Sequence, residues 1–177
     1  MKNKGFTMVE LLVSLGISSL VVGLIFLFFV SNFKGYKAVG NDSELSFQAQ
    51  YILNYMVDKV INSNSLSLVK SNSTTNYSMT AVRSAETEYP AKKISFKYGS
   101  EVEENYVFHI VENNIRYGNG EIDMNPTVEL GNFVDSMYIS LSSDNSFQNA
   151  RAIIIKIVMK KDEQTYEALQ AAYMRNN

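Results

Sequence analysis

Few residues in this chain have the type and spacing to do chemistry. It holds one histidine, His109, and no cysteine, which excludes thiol nucleophiles, disulfides, zinc knuckles and mixed Cys/His metal sets. His109 lies in the alternating apolar run "NYVFHIV" and reads as a packed or exposed strand residue. Glu101, Glu103 and Glu104 cluster beside Gly99 and Ser100, the composition of a solvated hairpin loop rather than of an acid/base pair. "NGEIDMN" (Asn119 to Asn125) offers oxygen ligands but lacks the spacing of a calcium hand. There is no phosphate-cradling glycine loop and no Gly-x-Ser-x-Gly. The expectation is therefore no catalytic residue, no metal and no cofactor. One carboxylate stands apart: Glu10 sits at the edge of Leu11 to Val30, "LLVSLGISSLVVGLIFLFFV", twenty residues without a charge.

A helix rises 1.5 Å per residue, so that run covers about 30 Å, the hydrocarbon thickness of a bilayer. It is too long for the core of a cleaved secretory signal, and the nearest small-x-small site, Ala38-Val39-Gly40, lies beyond Lys34 and Lys37. A retained anchor is expected. Lys2 and Lys4 on one flank balance Lys34 and Lys37 on the other, so flanking charge leaves orientation open. A bare carboxylate costs about 2.5–3.5 kcal/mol in mid-bilayer and less at the edge, whereas an ion pair at about 4 Å returns about 4 kcal/mol at an effective dielectric near 20. No Lys or Arg occurs between Phe6 and Phe33. The cation this region can supply is a new α-amine, made if the bond between Gly5 and Phe6 is cut, with a pKa of about 7.7–8.0. It could pair with its own Glu10 one turn away, or with Glu10 of a neighbour in a staggered bundle. In the first turn Glu10 would also complement the helix dipole.

Lys2, Lys4, Gly5, Phe6, Thr7, Met8, Val9, Glu10, Leu11 and Leu12 strongly resemble the class III leader of type IV prepilins and type II secretion pseudopilins. The resemblance implies a prepilin peptidase that cuts on the cytoplasmic side after Gly5 and methylates the amine of Phe6, with Glu10 guiding assembly. Losing Lys2 and Lys4 takes the formal charge from -2 to -4, the new amine not counted. A bitopic anchor whose Glu10 merely rests among headgroups is the bland alternative. The family often carries a proline late in the membrane segment; none occurs here.

Beyond the anchor, Asn41 has the chemistry of an N-cap, with Glu44 three residues on and Gly35 and Gly40 before it, which suggests a helix that restarts or kinks; smooth continuation fits equally. Leu45, Ala49, Ile52, Met56 and Val60 then lay one apolar stripe along a helix ending near Asn62. A helix from Phe6 to Asn62 would be about 85 Å long. In its membrane half, Ser14 with Ser18 and Ser19 with Gly23 form small-xxx-small pairs that let helices approach. Ser63 to Thr87 is rich in Ser, Asn and Thr and reads as a long polar loop, so the sequons at Asn72 and Asn76 read as loop composition.

After Pro90 the period becomes two. Ile94, Phe96 and Tyr98 alternate with Ser95 and Lys97 in a half-buried strand, Asn105 to Val111 follows, and Asn113-Asn114 suits a hairpin turn into "IRYGN". Met137, Ile139 and Leu141 alternate in a fourth strand, and "AIIIKIVM" (Ala152 to Met159), apolar on both faces, reads as a central one. "KKDEQ" turns the chain, after which "TYEALQAAYMRNN" is ambiguous, with Tyr166, Leu169 and Tyr173 at helical spacing.

Long helix, polar loop, antiparallel meander and a terminal strand closing on Arg175-Asn176 make an order similar to minor pilins and pseudopilins of the J or W type, with "AQYILNYMVDKVINSN" as a further matching stretch. The expected fold class is α+β, a pilin fold whose long N-terminal helix, membrane-spanning in its first half, packs against an antiparallel β-sheet. The expected parts are a leader (1–5), a membrane and filament-core helix half (6–30), an amphipathic helix half (31–62), a polar connecting loop (63–91) and a β-sheet domain (92–177).

The resemblance implies a minor type IV pilin that initiates or tips a surface filament. Its partners would be major and minor pilins through the N-terminal helix, prepilin peptidase, an inner assembly platform and, before assembly, membrane lipid. Its location would be the cell membrane, single-pass with a cytoplasmic N-terminus before cleavage, and then an extracellular pilus. A secretion or competence pseudopilin is the alternative within the class, and a membrane-anchored sensor or enzyme domain the alternative outside it. With a net charge of -2 and a pI near 5.5, no basic field favours nucleic acid. The 18 Asn, the excess of 12 Lys over 4 Arg and the absence of Cys lean towards a low-GC, Gram-positive host.

Overall fold

The computed structural model describes residues 7–71, 75–99 and 104–174. They fall into two compact units, one up to Gly40 and one from Asn41 onward. A single helix, α1 (Met8–Ile61), contributes to both. Asn41 is therefore an interior helical residue and not an N-cap; its Nδ2 donates instead to Asp162 Oδ2 at 3.2 Å.

In the first unit, α1 is apolar and uncovered. Every large apolar side chain from Leu11 to Phe29 is exposed, and none of the most apolar window is buried. By length and composition the helix can cross a membrane.

In the second unit, α1 turns the expected stripe inward. Leu45, Ala49, Ile52, Met56 and Val60 are fully buried, with Leu53 and Val57 widening the stripe. The strands are β1 (Ser65–Lys70), β2 (Val82–Arg83), β3 (Tyr89–Pro90), β4 (Lys93–Tyr98), β5 (Glu104–Val111), β6 (Asn114–Gly120), β7 (Val128–Gly131), β8 (Val134–Leu141), β9 (Asn145–Ser146), β10 (Ala152–Lys161) and β11 (Gln164–Tyr173). All pairings are antiparallel, in a five-stranded sheet ordered β1-β4-β5-β6-β7, a four-stranded sheet ordered β11-β10-β8-β3 and the two-stranded ribbon β2-β9. One core joins α1 to both larger sheets. The α+β architecture, a long N-terminal helix packed on antiparallel sheets, is the expected one.

The meander β4-β5-β6 stands where the alternation placed it. Ile94, Phe96, Phe108 and Ile115 face the core, and Tyr55 of α1 meets the rings of Phe108 and Tyr117 edge-on at 6.5 and 5.1 Å. The turn between β5 and β6 is Glu112–Asn113, with Glu112 and not an asparagine in the left-handed region (φ 58°). Helix and sheet are in close contact at Gly131, where a β-carbon would lie 2.8 Å from Ile52 Cδ1.

The segment 63–91 is not simply a loop. Its first part is β1, which shows no period of two because a bulge between Leu66 and Leu68 inserts Ser67, so that Leu66 and Val69, three residues apart, both reach the core. Its later part supplies β2 and β3. Arg83 of β2 lies over the rings of Tyr77, Tyr89 and Phe147, at 5.1, 4.6 and 4.4 Å, and pins the ribbon to the core.

β10 is central, as expected, but buries one face: Ile153, Ile155, Ile157 and Met159 are fully buried while Ile154, Lys156 and Val158 are half-buried. The ambiguous last segment is β11, paired with β10 from Lys161↔Gln164 to Ala152↔Tyr173. Its Ala and Leu favour helix, yet the open edge of β10 decides. The turn Asp162–Glu163 is held against α1 by Asn41 on Asp162 and by Glu44 on Lys161.

Candidate functional site

Gly5, Phe6, Lys2 and Lys4 lie outside the described residues, as do Glu101, Glu103, the Asn72 sequon and Arg175-Asn176. The described site therefore begins at Thr7. Thr7 precedes the first helical residue, and Glu10 stands in the first turn. Thr7 N–H donates to Glu10 Oε2 at 2.9 Å, Thr7 Oγ1 donates to the same oxygen at 2.9 Å, and Glu10 N–H donates back to Thr7 Oγ1 at 3.3 Å. This is a capping box, which satisfies orphan amides at the helix start reciprocally.

Its signal is local in the sequence: Thr-x-x-Glu before an apolar run. Hydrogen bonds to a carboxylate are charge-assisted and stronger than neutral ones, and two of them converge on Oε2. Glu10 thus has hydrogen-bond partners within its own chain.

Farther along, the hydroxyls of Ser14 and Ser19 donate to the carbonyls of Leu11 (2.9 Å) and Gly16 (3.2 Å). These bonds satisfy the hydroxyls inside the helix, leaving a surface that apolar neighbours can cover. At Gly16 and Gly23 an added β-carbon would meet nothing within 4 Å. Asn32 donates to the Phe28 carbonyl at 2.7 Å near the far end of the run.

The other candidates resolve into packing. Asp123, in the "NGEIDMN" stretch, accepts from Lys93 Nζ on Oδ1 at 2.8 Å and from Lys70 Nζ on Oδ2 at 2.5 Å. Two ammoniums occupy the carboxylate that a cation would need. Hydrogen bonds from Lys70 and Lys93 hold its carboxyl below the ordinary carboxylate value. His109 sits in register between Lys93 and Arg116, its Nδ1 buried without a hydrogen-bond partner among the described residues. Burial, reinforced by the Lys93 charge, pushes the imidazole below its ordinary value. Glu104 accepts a hydrogen bond from the Tyr98 hydroxyl. Among the described residues no group of three or more His, Asp and Glu side chains is arranged to hold a metal.

Residues 1–26 match the family model of the prokaryotic N-terminal methylation motif. Together with the uncovered apolar helix that begins within it, this match supports a prepilin of the type IV pilin and pseudopilin kind, a class of structural subunits handled by prepilin peptidase. No curated protein and no solved structure matches the chain.

Proposed function

We propose that the chain is a minor type IV pilin: prepilin peptidase cuts between Gly5 and Phe6, the Phe6 amine is methylated, and α1 leaves the bilayer to join a surface filament at its initiating or tip end. The observation that carries this reading is the exposed apolar run Leu11 to Phe29, most of which lies within the matched methylation motif, residues 1–26. Burying a Leu, Ile, Val or Phe side chain is worth about 1.5–3 kcal/mol, so such a surface has to be covered. Lipid covers it before assembly and the helices of other pilins, major and minor, cover it afterwards. Glu10 then meets the Phe6 amine of an adjoining subunit.

In this reading the helix carries the assembly contacts. The sheets accompany the helix out of the membrane, and the overall plan fits the J or W type of minor subunit. The inner assembly platform and prepilin peptidase are the remaining partners. The test is mass spectrometry of the mature N-terminus in cells with and without prepilin peptidase. A species starting at methylated Phe6, present only with the peptidase, is the expected result. An intact Met1, or a start after Gly40, overturns the reading.

A further inference from the structure

The capping box gives Thr7 a task beyond starting a helix. Both bonds that reach the Glu10 carboxylate from described residues, one from the Thr7 amide and one from its hydroxyl, fall on Oε2. They fix the side chain at both ends: the backbone of Glu10 is tied to Thr7 Oγ1, and the carboxylate is tied to Thr7 N and Oγ1. Glu10 is fully exposed and, without these ties, would turn freely about its three side-chain torsions. Ordering a long side chain at the moment of association costs entropy, and a side chain already ordered is spared that cost.

We propose that Thr7 is the positioning residue for Glu10 in subunit assembly, holding Oε2 so that Oε1 is presented to the ammonium of an adjoining subunit. This rests on the pilin reading above. A cut between Gly5 and Phe6 leaves the Phe6–Thr7 amide intact, so the processed chain keeps both Thr7 donors. The threonine hydroxyl is essential because it is donor and acceptor at once. Serine preserves both roles. Valine, of nearly the same shape, preserves neither. Aspartate is a good N-cap acceptor and would keep the helix start, but it donates nothing and sets a second negative charge against Glu10.

A purely structural cap and a positioning residue therefore separate on Thr7→Asp. In cells with an active prepilin peptidase, the fibre-borne fraction of the processed full chain is quantified for the wild type, T7S, T7V, T7D, E10Q and the T7V/E10Q pair. Referring to the processed chain removes any effect on cleavage. T7S is expected to match the wild type, T7V and T7D to fall about tenfold, and T7V/E10Q to be no worse than E10Q.

Wild-type incorporation by T7D, loss in T7S, or a double variant worse than E10Q each overturns the proposal. If E10Q falls while T7V and T7D do not, only the role of Thr7 is lost. If E10Q itself assembles as the wild type does, the assembly role of Glu10 has failed.

Discussion

The ammonium of Lys93, a residue only 4% exposed, lies 2.8 Å from Asp123 Oδ1 and 3.0 Å from the Asp123 carbonyl oxygen. This pair fastens the segment 121–127 across the face of the five-stranded sheet turned away from α1. Three rungs of that face are in register: Lys93, His109 and Arg116; Ser95, Val107 and Gly118; Lys97, Asn105 and Gly120. The segment seals them with Ser95 Oγ donating to the Ile122 carbonyl at 2.7 Å, while Met124 and Pro126 close over Gly118.

Replacing Asp123 with alanine strands a buried ammonium. Removing one partner of a buried pair costs about 3–5 kcal/mol, and the half-exposed carboxylate lowers this to roughly 1–3 kcal/mol. Urea unfolding of the full chain in detergent should show that loss, and Asp123→Ala combined with Lys93→Met should recover most of it. Equal stability of Asp123→Ala and wild type would show that water already serves Lys93.

Acid should weaken the fold in two windows. The His109 pKa is lowered below its ordinary 6.5, so the unfolded chain takes up the proton first and stability falls as the pH drops from about 6.5 through the folded value. Lys93, Lys70 and Lys92 add positive charge around the ring and the Asp123 carboxylate opposes them, while Arg116, next to His109 in register, is itself paired in register with Glu129. The Asp123 pKa is likewise lowered from 3.8, so its contribution is present above that value and lost below it. Stability followed from pH 8 to pH 3 should therefore step down twice, and His109→Gln should remove the upper step only.

Gly118 is the tightest point under the segment. A β-carbon there would stand 2.8 Å from Met124 Cε, 3.0 Å from Pro126 Cβ and 3.1 Å from Pro126 Cα. Methionine can swing away but the proline backbone cannot, so Gly118→Ala should cost about 1–3 kcal/mol, the range for overpacking. Gly131→Ala meets the flexible end of Ile52 and should cost less. Thermal unfolding of the two variants ranks them, and the reverse order would place the rigid contact at the helix.

If the proposed pilin reading holds, replacing Glu10 with glutamine should lower filament incorporation about tenfold or more while leaving the proposed cleavage after Gly5 intact. Glutamine keeps the length and one carbonyl acceptor of the side chain but removes its charge. The ratio of fibre-borne to membrane-held processed chain measures it.

How much of this was legible in the sequence depended on how local the cause was. Twenty uncharged residues after "GFTMVE" announce a membrane-length helix in any context, because hydropathy and helix rise need no partner. The stripe from Leu45 to Val60 and the alternation from Ile94 to Tyr98 were equally plain, since each periodicity is a property of its own segment. Thr7 with Glu10 is equally local, a capping pair three residues apart.

Other features had no local cause. Ser67 hid β1 by breaking its period with a bulge that only β4 defines. The helix-favouring segment Gln164–Tyr173 became a strand because β10 offered a row of unpaired amides and carbonyls. Asn41 gave up the cap its neighbours suggested once Asp162, far along the chain, came within hydrogen-bond reach.

The sequence alone thus determined the apolar helix, its acidic threshold and the two-residue and helical rhythms, all of which act between residues a few positions apart. Only the tertiary structure decided that a lysine and an aspartate thirty residues apart, Lys93 and Asp123, close one face of a sheet. Charge pairing in a buried place depends on which surfaces meet, and no spacing along the chain encodes that.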